Sequence, residues 1–295
     1  MDTPPVCDYE GSDYQTSFWD QGGRAYEDAA ELVALNRLLT RKGQRLLELG
    51  AGAGRNSPRY PYEQVVLLDY SRTQLQQARQ RLGDSPRYRF VAADIYRLPF
   101  ASGMFDGATM IRTLHHMKDA PAALAQVRQV LLPGAVFVLE FANKRNLKSI
   151  LRYALGRQSW NPFSPEPIEF AALNFDFHPD TVRAWLRQSG FSVERQLTVS
   201  HFRIGFFKKV FPVKMLTAMD SFAQLTGDLW QLSPSVFVRG CAVPPVQPAA
   251  VLPETLVFRC PACGCDPLPD TPPELVCPQC GQRYPVEDGI YNFKI

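Results

Sequence analysis

Long hydrophobic runs are absent from this 295-residue sequence. The longest, VVLL at 65–68 and AVFVL at 135–139, fall far below the length that crosses a bilayer. The N-terminal stretch MDTPPVCDYEGSDYQ carries acids and has no apolar core, so it lacks the form of a secretory signal. These absences predict a soluble, unexported, cytoplasmic protein without a transmembrane segment. With 45% hydrophobic and 12% aromatic residues, the chain has ample material for a buried core.

A strong net charge is also missing, since the formal value is +3. Residues 144–215 nevertheless hold twelve Lys or Arg against five acidic residues. A solvated face is the simplest interpretation, and the alternative is a nearby anionic substrate, RNA or membrane headgroup. The sequence leaves both open.

Short apolar runs alternate with helical patterns through the first half of the chain. Helices are predicted to begin near Glu27, after Ser71 in capping-box spacing with Gln74, and near Asp119. This alternation predicts a Rossmann-like α/β fold: a mostly parallel, seven-stranded sheet with helices on both faces and a ligand beyond the carboxyl ends of its strands. The predicted strands are Arg45–Leu49, Val65–Asp69, Tyr88–Ala92, Phe105–Ile111, Val136–Phe141, Phe191–Val199 and Val236–Val243.

Two irregular, partly helical insertions interrupt the second half, at about 143–177 and 205–232. The second mixes aromatic residues with lysines, which fits a lid over a lipophilic acceptor, superficial membrane contact through 205–215, or packing onto the sheet. A proline-rich linker at 244–256 then separates a large domain, 1–243, from a small C-terminal one, 257–295.

The stretch ELGAGAG follows the first predicted strand. Its glycines let a ligand approach the backbone, although dinucleotide-binding proteins also place such a loop there. Glu48 would repel a pyrophosphate at this point. Asp69 ends the second strand, where a carboxylate can accept both hydroxyls of a ribose, and Asp94 follows the third, where it can accept from an adenine amino group. Together they indicate a nucleoside that carries positive charge.

With LLDYS, AADIYRLPF, FDGATMIRTLHHM and LLPGAVFVLEF, this stretch resembles the successive motifs of class I S-adenosylmethionine-dependent methyltransferases of the small-molecule type. The resemblance covers roughly residues 14–243. Two departures are the single glycine of LLPGAVF and the prolines Pro58 and Pro61, which predict a short first crossover helix. The resemblance implies S-adenosylmethionine as cofactor, bound by Glu48, Gly50, Ala51, Gly52, Asp69, Tyr70, Asp94, Ile95 and Arg112.

Two histidines follow the fourth strand in RTLHHM. Methyl transfer does not require a base, because positioning supplies much of the acceleration, but a base helps where the acceptor is a hydroxyl or an acidic carbon. His116, and less strongly His115, are the candidates for this catalytic role. Their alternative role is to cap or pack the start of a helix.

Four of the seven cysteines form two CxxC pairs near the C-terminus, each followed by glycine. Two such turns complete a tetrahedral S4 site, which predicts structural Zn²⁺ held by Cys260, Cys263, Cys277 and Cys280. The tail, especially LVCPQCGQRYPVEDGI, resembles a zinc-ribbon family that includes small activators of RNA and protein methyltransferases. The resemblance implies docking on the catalytic domain or contact with a macromolecular acceptor.

The sequence leads to one function and leaves two alternatives to it open. The function is methylation of a small or lipophilic acceptor on O, N or C. The first alternative is methylation of rRNA, tRNA or a protein, with the ribbon aiding recognition. The second is a cofactor-binding scaffold without turnover.

Overall fold

A ten-stranded sheet runs through the described part of the chain, in the order β10-β11-β12-β3-β2-β1-β4-β5-β9-β8. The structure, a computed structural model, describes residues 4–13, 15–243 and 251–295. The strands of this sheet are β1 (Gly43–Leu49), β2 (Tyr62–Asp69), β3 (Tyr88–Ala92), β4 (Phe105–Met110), β5 (Leu131–Ala142), β8 (Phe191–Val199), β9 (Ser235–Ala242), β10 (Glu274–Val276), β11 (Arg283–Glu287) and β12 (Ile290–Asn292).

Helices cover both faces of the sheet. The side chain of Ser71 accepts a hydrogen bond from the Gln74 N–H at the start of one helix, and Asp119 accepts from the Ala122 N–H at the start of the next. Both starts confirm the sequence prediction. The helices are α1 (Ala25–Leu38), α2 (Arg72–Leu82), α3 (Ala120–Val130), α4 (Leu147–Ala154), α5 (Pro179–Gln188), α6 (Gly205–Val210) and α7 (Val213–Ala223).

Strands β1 to β5, β8 and β9 form the predicted seven-stranded, mostly parallel arrangement. β1 lies between β2 and β4 and is parallel to both, while β9 runs antiparallel between β5 and β8. The crossover from β1 to β2 contains a short 3₁₀ turn at Ser57–Arg59, in agreement with the prolines there. The carboxyl ends of β1 to β4 therefore meet at one edge.

Alternate side chains of β1 enter two apolar layers, one on each face of the sheet. Leu47 and Leu49 pack in the layer that includes α3 and α5, whereas Leu46 packs in the layer that includes α1 and α2. All three side chains are buried. Because both faces are covered, a ligand can reach the parallel strands at their carboxyl ends.

The two predicted insertions carry the remaining elements. Helix α4 and a hairpin of β6 (Ile168–Ala171) and β7 (Asn174–Asp176) lie in the first, and α6 and α7 lie in the second. Residues 244–250 of the predicted linker lie outside the described residues. In the described ranges, every helix is too short or too polar to cross a bilayer.

The C-terminal segment 257–295 continues the same sheet. Strand β12 pairs in parallel with β3, and the Phe293 N–H extends this pairing with a 2.8 Å hydrogen bond to the Ala92 carbonyl. Phe258 is fully buried, with its ring centroid 5.9 Å from that of Phe100 and 5.0 Å from that of Phe293. The sequence left open where this segment docks, and the structure places it on the chain's own sheet.

Candidate cofactor and metal sites

A cavity of about 1010 Å³, its open mouth included, lies beyond the carboxyl ends of β1 to β4. His116 lies in its wall, whereas His115 is not one of the lining residues. All nine residues predicted to bind the cofactor also line it: Glu48, Gly50, Ala51, Gly52, Asp69, Tyr70, Asp94, Ile95 and Arg112.

The glycine loop forms one wall of the cavity, and two of its positions are glycine for different reasons. Gly50 has φ +66°, and a Cβ there would lie 2.1 Å from Oγ1 of Thr113, so packing excludes any larger residue. Gly52 has φ +52° and faces open space, since the nearest atom to a Cβ there is Oε1 of Gln74 at 3.8 Å. That oxygen is buried without a hydrogen-bond partner among the described residues. The wall therefore offers room and an unsatisfied acceptor to a ligand that donates hydrogen bonds.

Glu48 lines the cavity, and each of its carboxylate oxygens accepts one hydrogen bond from a side chain. Its oxygens accept hydrogen bonds from the Ser57 hydroxyl at 2.5 Å and from the Tyr60 hydroxyl at 3.1 Å. Burial raises the pKa of Glu48 to about 7, although these two hydrogen bonds and nearby Arg55 oppose the rise. A cationic ligand group would favour the ionised form.

The two aspartates present their carboxylates from the next two strands. Asp69 accepts from the Gly52 N–H at 2.8 Å and from the Ser71 N–H at 2.9 Å, so it couples the glycine loop to β2 and α2. Asp94 accepts from the Tyr96 N–H at 2.9 Å, just after β3. Burial raises the pKa of both carboxyls. Each oxygen has a second lone pair, which leaves acceptors for ligand hydroxyl or amino groups.

Two arginines border the cavity, and a buried glutamate holds them both. Glu31 accepts from Nε of Arg112 at 2.6 Å and from a terminal nitrogen of Arg55 at 2.6 Å. Burial acts to raise the pKa of Glu31, but Arg112 and Arg55 outweigh it and keep that pKa below its usual value. The ring of Trp19 lies 3.6 Å from the Arg55 guanidinium carbon and 4.8 Å from that of Arg112. Arg112 has φ +56°, and its N–H donates to Glu140 at 2.9 Å.

The N-terminal segment covers part of the cavity, which the sequence does not predict. Tyr9 and Trp19 line the cavity together with Val6, Cys7 and Gln15. Residues Gln15–Asp20 form a π-helical turn. The segment has no apolar periodicity in its sequence. Its aromatic residues within a polar stretch are the only sequence signal that it packs against the rest of the protein.

Comparison with known proteins agrees with this geometry. A family model described as "Methyltransferase domain" matches residues 47–139. The O-methyltransferase cnsE of Penicillium expansum is 32% identical over 147 residues, 45% of this chain and 52% of that protein. The demethylmenaquinone methyltransferase of Clavibacter sepedonicus is 30% identical over 170 residues, 53% of this chain and 69% of that protein.

This chain belongs to the class I S-adenosylmethionine-dependent methyltransferases. The chain spans 38–66% of the length of the first four curated relatives that it matches.

Solved structures share the fold of this methyltransferase. A chain from the complex between the Haloferax volcanii Trm112 methyltransferase activator and a methyltransferase has a TM-score of 0.55 and 16% identity, over 79% of this chain and 96% of that one. An S-adenosylmethionine-dependent methyltransferase from Mesorhizobium loti has a TM-score of 0.53 and 22% identity, over 73% and 99%.

The two predicted catalytic histidines lie side by side in a 3₁₀ turn after β4, with ring centroids 4.0 Å apart. His116 Nδ1 lies 3.0 Å from the Leu173 carbonyl, so it donates, and Nε2 accepts from the Tyr9 hydroxyl at 3.1 Å. Burial lowers the pKa of His116, and it lowers that of His115 further, with His116 adding to the effect. His116 is therefore a neutral imidazole whose Nε2 accepts from Tyr9, another residue of the cavity wall.

The four cysteines predicted as zinc ligands come together, with their Sγ atoms all within 4.8 Å of one another. Cys260 and Cys280 are 3.8 Å apart and Cys263 and Cys277 are 3.6 Å apart. A tetrahedral zinc site with bonds of about 2.3 Å has sulfur–sulfur edges of roughly 3.8 Å, so the cluster fits zinc. The Tyr284 hydroxyl lies 3.1 Å from the Cys260 sulfur and supports it from outside. Cys265 does not belong to this cluster of the methyltransferase.

Proposed function

We propose that this chain transfers the methyl group of S-adenosylmethionine to a small, lipophilic acceptor. One observation carries the proposal: the carboxylates of Glu48, Asp69 and Asp94 surround a single cavity at the ends of three neighbouring strands, beside the open face of Gly52. Curated relatives named as an O-methyltransferase and a demethylmenaquinone methyltransferase support the choice of acceptor.

Each part of the cavity suits one part of the cofactor. Glu48 and the glycine loop face the amino-acid end, where a carboxylate offsets the charge of an ammonium group. Asp69 faces the ribose hydroxyls, and Asp94 with Ile95 faces the adenine. When bound, S-adenosylmethionine supplies a methyl group on an already activated sulfonium, so the residues around it mainly orient and exclude water.

The acceptor side combines apolar walls with one polar pair. Trp19, Ile111 and Met117 line this side of the cavity, which favours a lipophilic acceptor. Tyr9 donates to Nε2 of His116, so an acceptor hydroxyl that donates to Tyr9 passes its proton through the phenol to the imidazole. His116 thereby acts as the general base through Tyr9.

The experiment that tests the function is transfer of radiolabelled methyl from S-adenosylmethionine into a cell extract, which is then separated by solubility. We expect label in the organic-soluble fraction. Label confined to RNA or protein would replace the small acceptor with a macromolecular one. Absence of saturable S-adenosylhomocysteine binding in calorimetry would contradict the methyltransferase function itself.

Replacement of His116 by alanine is expected to lower kcat by about 10² to 10⁴, because the acceptor proton loses its base. Tyr9→Phe is expected to lower kcat as well, since the phenol passes that proton. Initial rates with an acceptor identified by label transfer measure both effects. His115→Ala is the matched control, because His115 does not line the cavity and should leave kcat within a few-fold. Equal losses of kcat in His116→Ala and His115→Ala would mean that the two histidines act through packing and not as a base.

Affinity for S-adenosylhomocysteine is expected to rise by roughly tenfold between pH 6 and pH 7.5. The pKa of Glu48 is raised to about 7, so the carboxyl is mostly neutral at pH 6 and mostly ionised at pH 7.5, where it attracts the ligand ammonium. Calorimetry across this range should also detect proton release on binding at pH 6. Glu48→Gln should flatten the profile, and an unchanged slope in that variant would assign the titration to another group.

We assign residues 1–243 as the methyltransferase domain, with its insertions, and 257–295 as a zinc ribbon that stabilises this domain from within the same chain. Pairing of β12 with β3 supports the assignment, as does the resemblance of the ribbon to methyltransferase activators. The ribbon pairs with the sheet of its own chain, so its presence in the protein does not require a macromolecular acceptor.

A further inference from the structure

Large apolar side chains are exposed mainly on three helices and the turns beside them. Within the described residues, Val243, Val251, Val276 and Ile295 are the only ones outside residues 147–232. We call residues 147–155 and 204–232, which include α4, α6 and α7, the apolar rim. Its exposed members are Leu147, Leu151, Tyr153, Leu155, Ile204, Phe206, Val210, Val213, Met215, Met219, Phe222, Leu225, Leu229, Trp230 and Leu232.

Helix α4 presents its apolar stripe to solvent. Leu147 and Leu151 lie one turn apart on one face, and Leu155 continues this stripe just past the helix end, and each is more than half exposed. Ser149, on another face of the helix, is buried, and the Asn146 side chain caps the helix by accepting from the Ser149 N–H. The helix therefore carries its hydrophobic stripe on the outside.

Helix α7 shows the same arrangement. Leu216 and Asp220 are fully buried on the side that packs against α1, where Asp220 accepts from the Tyr26 hydroxyl at 2.9 Å. Met215 and Phe222 lie away from this contact, with 47% and 77% of their surface exposed. The Leu147 N–H donates to the Leu232 carbonyl, which joins the end of this insertion to the start of α4.

Cations predominate on the surface of the apolar rim, whose one exposed acidic residue is Asp228. No acidic residue occurs in 144–165 or 202–219, and Asp220 is buried. Asp228, further on, accepts from the Gln196 N–H at 2.7 Å. The exposed cations interleaved with the apolar side chains are Lys148, Arg152, Arg157, Lys209 and Lys214. An apolar surface with a basic fringe matches the interface of a bilayer that contains anionic lipids.

The two insertions contact residues beside the cavity, although no residue of the apolar rim lines the cavity itself. The first insertion reaches it through the Leu173 carbonyl, which accepts from His116. The second reaches it through Lys208 of α6, which contacts Glu27 at 3.0 Å, one turn of α1 before the Glu31 that holds Arg112.

We propose that the apolar rim is a membrane-binding surface that seats this protein on an anionic lipid bilayer. The proposal of membrane binding depends only on the exposed residues of the apolar rim. Delivery of the acceptor from the bilayer to the cavity rests, in addition, on the proposed function.

Co-sedimentation with vesicles of phosphatidylcholine, with and without 30% phosphatidylglycerol, tests the proposal. We expect on the order of 1,000-fold tighter partitioning to the anionic vesicles, since each of the five cations contributes roughly fivefold near such a surface. A charge variant, Lys148→Gln with Lys209→Gln and Lys214→Gln, should lose most of that preference. An apolar variant, Leu151→Ser with Phe206→Ser and Phe222→Ser, should weaken partitioning by on the order of 100-fold.

The matched control combines Val251→Ser, Val276→Ser and Lys42→Gln, which are exposed but lie outside the apolar rim. This control should partition like the unaltered protein, and all variants should keep their affinity for S-adenosylhomocysteine, which shows that they fold. Equal partitioning to neutral and anionic vesicles would overturn the proposal. Full vesicle binding by the apolar variant would also overturn it, because the surface would then suit a purely electrostatic partner such as RNA. So would a dimer that sedimentation velocity detects for the unaltered protein and that the apolar variant dissociates.

Discussion

Chelation of zinc is expected to lower the free energy of unfolding of the methyltransferase domain by at least about 3 kcal/mol. Without metal the ribbon loses its fold, because its short strands and small core depend on the four thiolates. The domain then loses the pairing of β12 with β3 and the burial of Phe258 and Phe293, and each such aromatic side chain contributes roughly 1.5–3 kcal/mol.

Tryptophan fluorescence during urea unfolding measures this effect selectively. All four tryptophans, at 19, 160, 185 and 230, lie outside the ribbon, so their signal reports the methyltransferase domain. Cys277→Ser should reproduce chelation, whereas Cys265→Ser should not, since Cys265 is not part of the cluster. An unchanged urea midpoint after metal release, measured with a chromogenic chelator, would mean that the domain does not depend on its ribbon.

Asp69→Ala is expected to weaken binding of S-adenosylhomocysteine by at least about 100-fold. The carboxylate would accept hydrogen bonds from the ribose, and hydrogen bonds to a charged group contribute roughly 1.5–3 kcal/mol each. The same carboxylate holds the Gly52 N–H, so its loss also loosens the loop that meets the ligand. Isothermal calorimetry at pH 7.5 provides the measurement.

Two further variants separate these contributions. Asp69→Asn keeps one acceptor oxygen for the loop and removes the charge, so its affinity should fall between those of the alanine variant and the unaltered protein. Asp84→Ala is the control, because its carboxylate is exposed and pairs with Arg79 away from the cavity. Unchanged affinity in Asp69→Ala would remove Asp69 from the cofactor site and leave only its structural contact with the loop.

The sequence predicts the cavity well because parallel strands impose a simple geometry. Every strand of such a sheet ends at the same edge, so Glu48, Asp69 and Asp94 had to converge once their strands were placed correctly. The glycines were informative for a related reason. A backbone position with positive φ beside a ligand favours glycine over all other residues, so the sequence itself shows where such positions occur.

Other parts of the site depend on contacts that leave no local pattern. Nothing near Arg112 in the chain shows that its guanidinium pairs with Glu31, which lies on a helix before the first strand. Tyr9 lies 107 residues before His116, in a segment without hydrophobic periodicity. His116 was therefore identifiable from the sequence as a candidate base after a strand end, whereas its hydrogen-bond partner was not.

The pairing of β12 with β3 also imposes a delay during synthesis, because β3 is made long before its partner strand. Ile290 pairs with Phe90, so 290 − 90 = 200 residues separate the two positions. At a translation rate of about 5–20 residues per second, the edge of β3 waits roughly 10–40 s for its neighbour after it leaves the ribosome. An uncovered strand edge is a template for unwanted pairing during that interval. The edge of β3 is covered only after β12 has been synthesised and its segment has folded, so folding of that segment protects β3 from unwanted pairing.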